Sequence, residues 1–256
     1  NGLHPSGAFQ GSKYFISKDW KIRFKGLSPH DEIESRRIAW TSVKFRIMKD
    51  AKLFLVSAPS GAGKSSLIDA ALARANISDL PLELSVSYTT RLPRKGESNA
   101  NEYFFVSEED FLDKKNSNFF LEFAEVHGNL YGTSIDFVES KLALGVNLIL
   151  EIDVQGFRQI NDLSMNYESI FILPPSIHSL EERIRNRGDE DLNAIDLRLK
   201  NAKDELAHAS EYKHLIVNDS FNKAADELFN IIAQNESLNQ INNEEVQQFL
   251  AQLLSY

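Results

Sequence analysis

From Lys52 onward the chain alternates between short apolar runs and segments of helical period. The runs KLFLVS (52–57), NLILEID (147–153), ESIFILPP (168–175) and HLIVND (214–219) are brief and rich in Val, Ile, Leu or Phe. Strands buried on both faces of a parallel sheet have that composition, because neither face needs polar residues. Helices are predicted from Lys64 to about Asn76, Ser134 to Leu144, Ser176 to Asn186, Leu192 to Ser210 and Asn222 to Gln234. The alternation predicts an α/β domain with a mostly parallel central sheet flanked by helices.

Two stretches break the pattern. Between Leu84 and Tyr131 lie the strand-like pieces EYFFVS, FLEFAEV and NLYGTS, the turn-rich RLPRKGESNAN and a short acidic helix after Ser107. An inserted β-rich subdomain is expected, bounded at 84–136, within a core of 48–83 and 137–237. A second insertion, about 187–198, falls in RNRGDEDLNAID, where glycine and acids interrupt two helical stretches. The tail, 238–256, ends in VQQFLAQLLSY, with Val246, Phe249, Leu250, Leu253 and Leu254 on one helical stripe. That stripe is expected to dock on its own domain or on a partner subunit, which keeps a homo-oligomer open.

Charge separates the first 47 residues from the rest. They hold nine Lys/Arg against four Asp/Glu, so a net charge of -9 leaves -14 on the remaining 209. They show no sustained period and contain the breakers HPSG and LSPH. Met48 is expected to open the functional protein, with residues 1–47 a loosely ordered or non-native extension. Lys18, Trp20, Lys21, Arg23, Phe24 and Lys25 form a basic, partly aromatic segment, read first as a solvated face. The acidic total argues against a general nucleic-acid partner. With no apolar stretch near 18 residues, no membrane span is expected, and the lack of an export signal points to the cytoplasm. The chain has no cysteine, so disulfides and thiolate metal sites are excluded.

The most specific chemistry follows the first core strand. SAPSGAGKSS (57–66) fits the phosphate-loop pattern GxxxxGK[ST] in relaxed form, with Ala58 where the first glycine would stand. Pro59, Ser60, Gly61, Ala62 and Gly63 complete the loop, whose glycines allow close backbone approach to phosphate oxygens beside a helix N-terminus. Lys64 supplies a cation for the β- and γ-phosphates, Ser65 a hydroxyl for Mg2+, and Ser66 follows on the helix. Such a loop binds a nucleoside triphosphate and leaves the reaction open.

An acceptor site is read from three further stretches. In SVSYTTRLPRKGE (85–97), Arg91 and Arg94 flank Pro93, and two guanidinium groups are expected to converge on one anion. FLEFAEV places Glu122 on one strand face with Phe120, Ala124 and Val126. A carboxylate in apolar surroundings needs donors, and guanine offers a ring N–H beside an amino group, where adenine has an acceptor. Ser87 and Tyr131 stand near this group in the expected sheet. NLILEIDVQG puts Asn147, Ile149, Glu151 and Asp153 on one face and ends at the sheet's carboxyl edge, where ligands collect. Glu151 is a candidate for holding Mg2+ through water. Asp153 is read as an acceptor-nucleotide contact or as the cap of a following helix.

With these pieces in order, the chain resembles guanylate kinase over roughly Lys49 to Gln234. The matching stretches are SAPSGAGKSS, SVSYTTRLPRKGE, EYFFVS, FLEFAEVHGNLYGTS, LEIDVQG, RIRNRG with the later DLRL, and HLIVND. The resemblance implies a P-loop kinase fold with a GMP-binding insertion and a helical lid, and Mg2+-dependent transfer of the γ-phosphoryl group of ATP to GMP and dGMP. It places Ser87, Glu122, Thr133 and Asp153 around guanine, and Arg91, Arg94, Tyr103 and Tyr131 at the GMP phosphate. It also places Arg183, Arg187 and Arg198 near the donor phosphates and Asn218 near adenine. Lys64 and the five arginines would carry the charge neutralisation, with no protein nucleophile. Ala58, Glu151 for aspartate, and a lid reading GDEDLNAID depart from the commonest pattern. Two rivals stand beside this reading: a scaffold-type interaction module, which lacks a working phosphate loop, and a monophosphate kinase of different base preference.

Overall fold

The computed structural model describes residues 51–255, apart from 95, 102, 127, 164, 187–191 and 235–243, together with two short strands near the start. By contacts the chain divides into two units, Asn1–Lys49 and Asp50–Tyr256. In the first, β1 (Phe15–Ile16) pairs antiparallel with β2 (Ile22–Arg23). The remainder of the expected extension, and Met48 at its expected boundary, lie outside the described residues.

In the second unit, β3 (Leu53–Ser57) leads through a loop into α1 (Lys64–Ile77). There follow β4 (Leu82–Leu84), β5 (Ser87–Thr89), β6 (Tyr103–Phe105), α2 (Glu108–Asn116), β7 (Phe120–Val126), β8 (Asn129–Ser134) and α3 (Ile135–Ala143). The chain continues through β9 (Asn147–Glu151), α4 (Val154–Asn161), β10 (Tyr167–Leu173), α5 (Ile177–Arg185) and α6 (Leu192–Leu206). A 3-10 turn (Ala209–Glu211), β11 (His214–Val217), α7 (Phe221–Gln234) and α8 (Glu244–Leu254) complete it.

The central sheet has the order β11-β10-β3-β9-β4, with every neighbouring pair parallel. Register fixes what each face carries. Phe54 lies opposite Ile149 and Val56 opposite Glu151, while Ser57 lies opposite Phe171. Phe54, Val56, Ile149, Ile170, Ile172 and Ile216 form one buried cluster with Leu67, Ile68 and Ala71 of α1 and Leu228 and Ile231 of α7. On the other face Phe171 meets Tyr212, which stacks on Phe157 of α4 with centroids 4.0 Å apart. Burying both faces explains the continuous apolar runs, each large side chain contributing about 1.5–3 kcal/mol. β3 lies between β9 and β10, so the chain crosses from one side of it to the other through α4. The carboxyl end of β3 is therefore a topological switch point, where α/β sheets bind ligands.

The second sheet has the order β6-β5-β8-β7, with β5 and β6 parallel and the other pairs antiparallel. Aromatic rings fill one side of it. Tyr88 stacks on Phe104 at 4.7 Å and Phe111 on Phe120 at 4.5 Å. α4 covers β7 by an amide bridge: Gln159 Nε2 donates to the Phe123 carbonyl at 2.6 Å, and the Phe123 N–H donates to Gln159 Oε1 at 3.1 Å. The bridge occupies the backbone of Phe123 in the middle of that edge, where another strand would otherwise pair.

Three expectations change. Leu84, taken as the start of the insertion, is the last residue of β4 and pairs with Ile149 in the central sheet. The helix expected to reach Ser210 ends at Leu206 and is followed by the 3-10 turn. The strand read as ending at Asp153 stops at Glu151, and α4, anticipated only through the capping alternative for Asp153, begins three residues later. In α8 the stripe is realised in part: Val246, Leu250 and Leu253 are buried within the chain, while Leu254 is exposed.

Candidate functional site: a phosphate loop facing a buried carboxylate

The loop after β3 takes its shape from two glycines. Gly61 has φ 90° and Gly63 φ 93°, in the left-handed region that side chains resist. Space is short as well. A Cβ on Gly63 would come 2.6 Å from Asn218 Nδ2, and one on Gly61 would come 3.1 Å from Ile184 and 3.3 Å from Leu180 of α5. Ala62 N–H donates to the Pro59 carbonyl at 3.0 Å, closing the turn. Gly63 is the N-cap of α1 with no side-chain cap, and the first turn of α1 carries no acid. Free N–H groups at a helix N-terminus favour an anion there.

Buried Asn218 has a scaffolding part. Its Nδ2 donates to the Ala62 carbonyl at 2.7 Å and its backbone N–H to Leu173 at 2.8 Å. The amide expected near adenine is thus committed to holding the loop.

Lys64, Ser65 and Glu151 meet at the end of β9. Ser65 Oγ donates to Glu151 Oε1 at 3.0 Å, and Lys64 Nζ lies 3.6 Å from that oxygen and 3.4 Å from the Ile152 carbonyl, to which it donates. Glu151 reaches them because its strand register puts it beside Val56, on the α1 face of the sheet. A hydroxyl and a carboxylate are hard oxygen donors, few enough to leave room for phosphate oxygens and water. That set fits Mg2+.

The second cluster surrounds Glu122, which is 4% exposed on β7. Thr133 Oγ1, on the paired strand, donates to Glu122 Oε1 at 2.5 Å, and Ser87 Oγ lies 3.3 Å from the same hydroxyl. Burial pushes the Glu122 carboxyl up to about 7; the Thr133 hydrogen bond opposes the shift and Asp153 adds to it. Asp153 caps α4, its Oδ1 accepting from Gly156 N–H at 2.9 Å and its Oδ2 from Gln155 Nε2 at 3.0 Å. The capping alternative for Asp153 therefore holds, and its position also brings it beside Glu122.

At the mouth of this cluster Arg91, Tyr103 and Tyr131 group together. The Arg91 guanidinium lies 5.3 Å from the Tyr103 ring centroid, and the two tyrosine rings are 5.8 Å apart. Burial pushes the Tyr103 hydroxyl up to about 12. The expected convergence of Arg91 and Arg94 on one anion is not the arrangement found. Arg91 forms a two-pronged pair with Glu97, both distances 2.9 Å, and Arg94 gives that carboxylate only its backbone N–H, at 2.7 Å, its side chain being exposed. A neighbouring acid on the turn satisfies the fork, so the pair is a local Arg–Glu clamp.

Of the lid-side arginines, Arg183 lies on α5, the helix that abuts Gly61, and is half-buried. Arg198 lies half-buried on α6. Arg187 lies outside the described residues. One group escaped the sequence reading. Glu205, near the end of α6, has a carboxyl pushed up to about 7 by burial, with Asp153 and Asp204 adding to the shift. Lys64 and the Ser60 backbone N–H hold it down, which sets it beside the phosphate loop. Its Oε2 is buried without a partner. In sequence it is one acid among several on a polar helix, and only tertiary packing singles it out.

A glycine-shaped loop with lysine and serine at the switch point of a parallel sheet, beside a β-rich sheet that carries a buried carboxylate, defines a P-loop protein of α/β fold. The family model described as Guanylate kinase matches residues 50–235. A guanylate kinase of Hahella chejuensis is 47% identical over 71% of this chain and 85% of its own length. That of Escherichia coli strain K12 is also 47% identical, over 72% of this chain and 88% of its own. The crystal structure of guanylate kinase from Anaplasma phagocytophilum superposes with a TM-score of 0.57 at 30% identity, over 78% of this chain and 94% of that one. The chain belongs to the guanylate kinase family.

Proposed function

We propose that the protein transfers the γ-phosphoryl group of ATP to GMP, and to dGMP, giving ADP and GDP. The observation that carries this reading is Glu122: a buried carboxylate fixed through one oxygen by Thr133, in a pocket lined by Ser87 and Asp153. Guanine N1–H and its 2-amino group are two parallel donors that such a group accepts together. Adenine would bring an acceptor against it.

In the reaction a phosphate oxygen of GMP attacks the γ-phosphorus, and the bond to the oxygen bridging β and γ breaks, leaving its electrons on ADP. Both reactants are anions, so the barrier is one of repulsion and alignment. Lys64 and the N–H groups of Gly63 to Ser66 at the start of α1 hold the donor phosphates in this reading, with Ala58 to Ala62 shaping the loop. Mg2+, held by Ser65 and through water by Glu151, would screen the charge on the donor phosphates. Arg91, Tyr103 and Tyr131 bind the acceptor phosphate, and Arg91 must exchange Glu97 for it. Arg94 is a second cation for that phosphate, and Arg183, Arg187 and Arg198 supply positive charge from the donor side. We assign 84–136 as the acceptor-binding insertion and 187–198 as the lid. The compartment proposed is the cytoplasm, and neither nucleic acid nor membrane enters the reading.

A coupled ADP-release assay with ATP and Mg2+ tests it, using GMP, dGMP, AMP and UMP as acceptors. Turnover with GMP and dGMP and little with AMP or UMP is expected. A protein inactive with all four would be an interaction module, and one preferring AMP or UMP would refute the Glu122 reading.

A further inference from the structure

Gly156 is the third residue of α4, and its backbone lies in ordinary helix. Glycine is the poorest residue for a helix interior after proline, so its presence there calls for a packing reason. The reason is one side chain. A Cβ on Gly156 would stand 2.5 Å from Glu122 Oε2 and 3.2 Å from Glu122 Cδ, closer than carbon and oxygen approach without a bond. Oε2 is the oxygen opposite the one that accepts from Thr133. The Glu122 carboxyl is buried and Thr133 holds its other oxygen, so moving aside would strain or break that hydrogen bond. Gly156 also serves Asp153, donating its N–H to Oδ1 at 2.9 Å, while its Cβ position lies an ordinary 3.5 Å from that atom. A side chain at 156 would thus press on Glu122 and spare the cap.

We propose that Gly156 is a specificity-determining position: the missing side chain is what allows the Glu122 carboxylate to stand where it accepts from the purine. It acts through Glu122 and touches no substrate, so it is a positioning residue. The inference rests on the reading of Glu122 as the guanine contact. The three atoms nearest the added Cβ belong to Glu122 and Asp153, and none of them to the phosphate loop.

The test is steady-state kinetics of full-length G156A with GMP and AMP as acceptors. Losing one charge-assisted hydrogen bond to the base predicts a fall of about tenfold or more in kcat/KM for GMP and a narrower GMP-over-AMP preference. KM for ATP should stay within about twofold. In G156A/E122D the shorter acid relieves the clash, and part of the GMP preference should return. Unchanged GMP kinetics in G156A would overturn the proposal. So would an equal loss for ATP, or unfolding of both variants, since glycine would then serve the fold alone. E122Q separates the two layers: if it leaves purine choice intact the guanine reading itself fails, whereas if it alters purine choice and G156A does not, only the present inference fails.

Discussion

Replacing Glu122 with Gln separates what the buried carboxyl does for function from what it costs the fold. Its pKa rises from an ordinary 4.5 to about 7 in the folded chain, chiefly through burial. Between those values the folded state keeps a proton that the unfolded state has lost, so stability falls as pH rises. The contribution is fully present below about 4.5 and lost by about 7. At 1.36 kcal/mol per pH unit this amounts to about 3 kcal/mol. In E122Q the Gln oxygen can still accept from Thr133, and its NH2 takes the place of Oε2 beside Gly156. Whatever that exchange costs does not depend on pH. Glu205, which is also pushed up to about 7, is present in both proteins and cancels in the difference. Urea unfolding of both proteins at pH 5, 6, 7 and 8 measures the difference directly. Relative to its value at pH 5, E122Q should gain about 2–3 kcal/mol on the unaltered protein by pH 8. The same variant should lose about tenfold or more in kcat/KM for GMP, because one acceptor becomes a donor facing donors. A stability difference that stays flat from pH 5 to 8 would refute the reasoning, whatever the kinetics.

Three further outcomes follow from the geometry. K64M should lower ADP release with GMP by at least about a hundredfold while circular dichroism stays native, because the partners of the charged end are polar, namely Glu151, the Ile152 carbonyl and the Glu205 charge; retained turnover would discredit the loop assignment. N218A removes the donor under the Ala62 carbonyl and should cost about 1–3 kcal/mol in urea and raise KM for ATP; an unchanged KM for ATP would separate Asn218 from loop geometry. R91K replaces a two-pronged fork with a point charge and should raise KM for GMP about tenfold with KM for ATP within about twofold; equal KM for GMP in the two proteins would remove Arg91 from the acceptor site.

The legible parts of the fold were those whose physics is local. β3, β9, β10 and β11 stand out because a strand covered on both faces needs an unbroken apolar run, and α2 because Ser107 and three acids mark its start. The donor loop was legible for the same reason: strand, glycines, lysine and helix are contiguous. β4 escaped because three residues at a sheet edge carry no period. α4 was legible only through the capping alternative for Asp153, because glycine stands in its first turn, although Val154, Phe157 and Ile160 already recur every three residues. The Arg91–Glu97 clamp and the buried Glu205 depend on how a turn closes and on a helix arriving from far along the chain. Neither leaves a mark in spacing.

One strand end joins the two pockets. Glu151 closes β9 on the α1 face, against Ser65 and Lys64; two residues later Asp153 opens α4 beside Glu122. Two residues span at most about 7 Å, so the acid beside the phosphate loop and the acid beside Glu122 are tied by a link that has almost no length to vary. The sheet buries β9, and the first turn of α4 is fixed by its cap. α4 in turn is bridged to β7 through Gln159 and Phe123, so the strand that carries Glu122 takes its position from the same strand end. Phosphoryl transfer needs reacting atoms brought to about 3–3.5 Å in line, and the entropy of that alignment is a large part of the barrier. An acceptor pocket on a free-standing insertion would meet the whole of it at each turnover. In the proposed reaction, a pocket anchored through α4 to the end of the core sheet would have met part of it on folding, which gives the LEIDVQG stretch a positioning part beside its packing one.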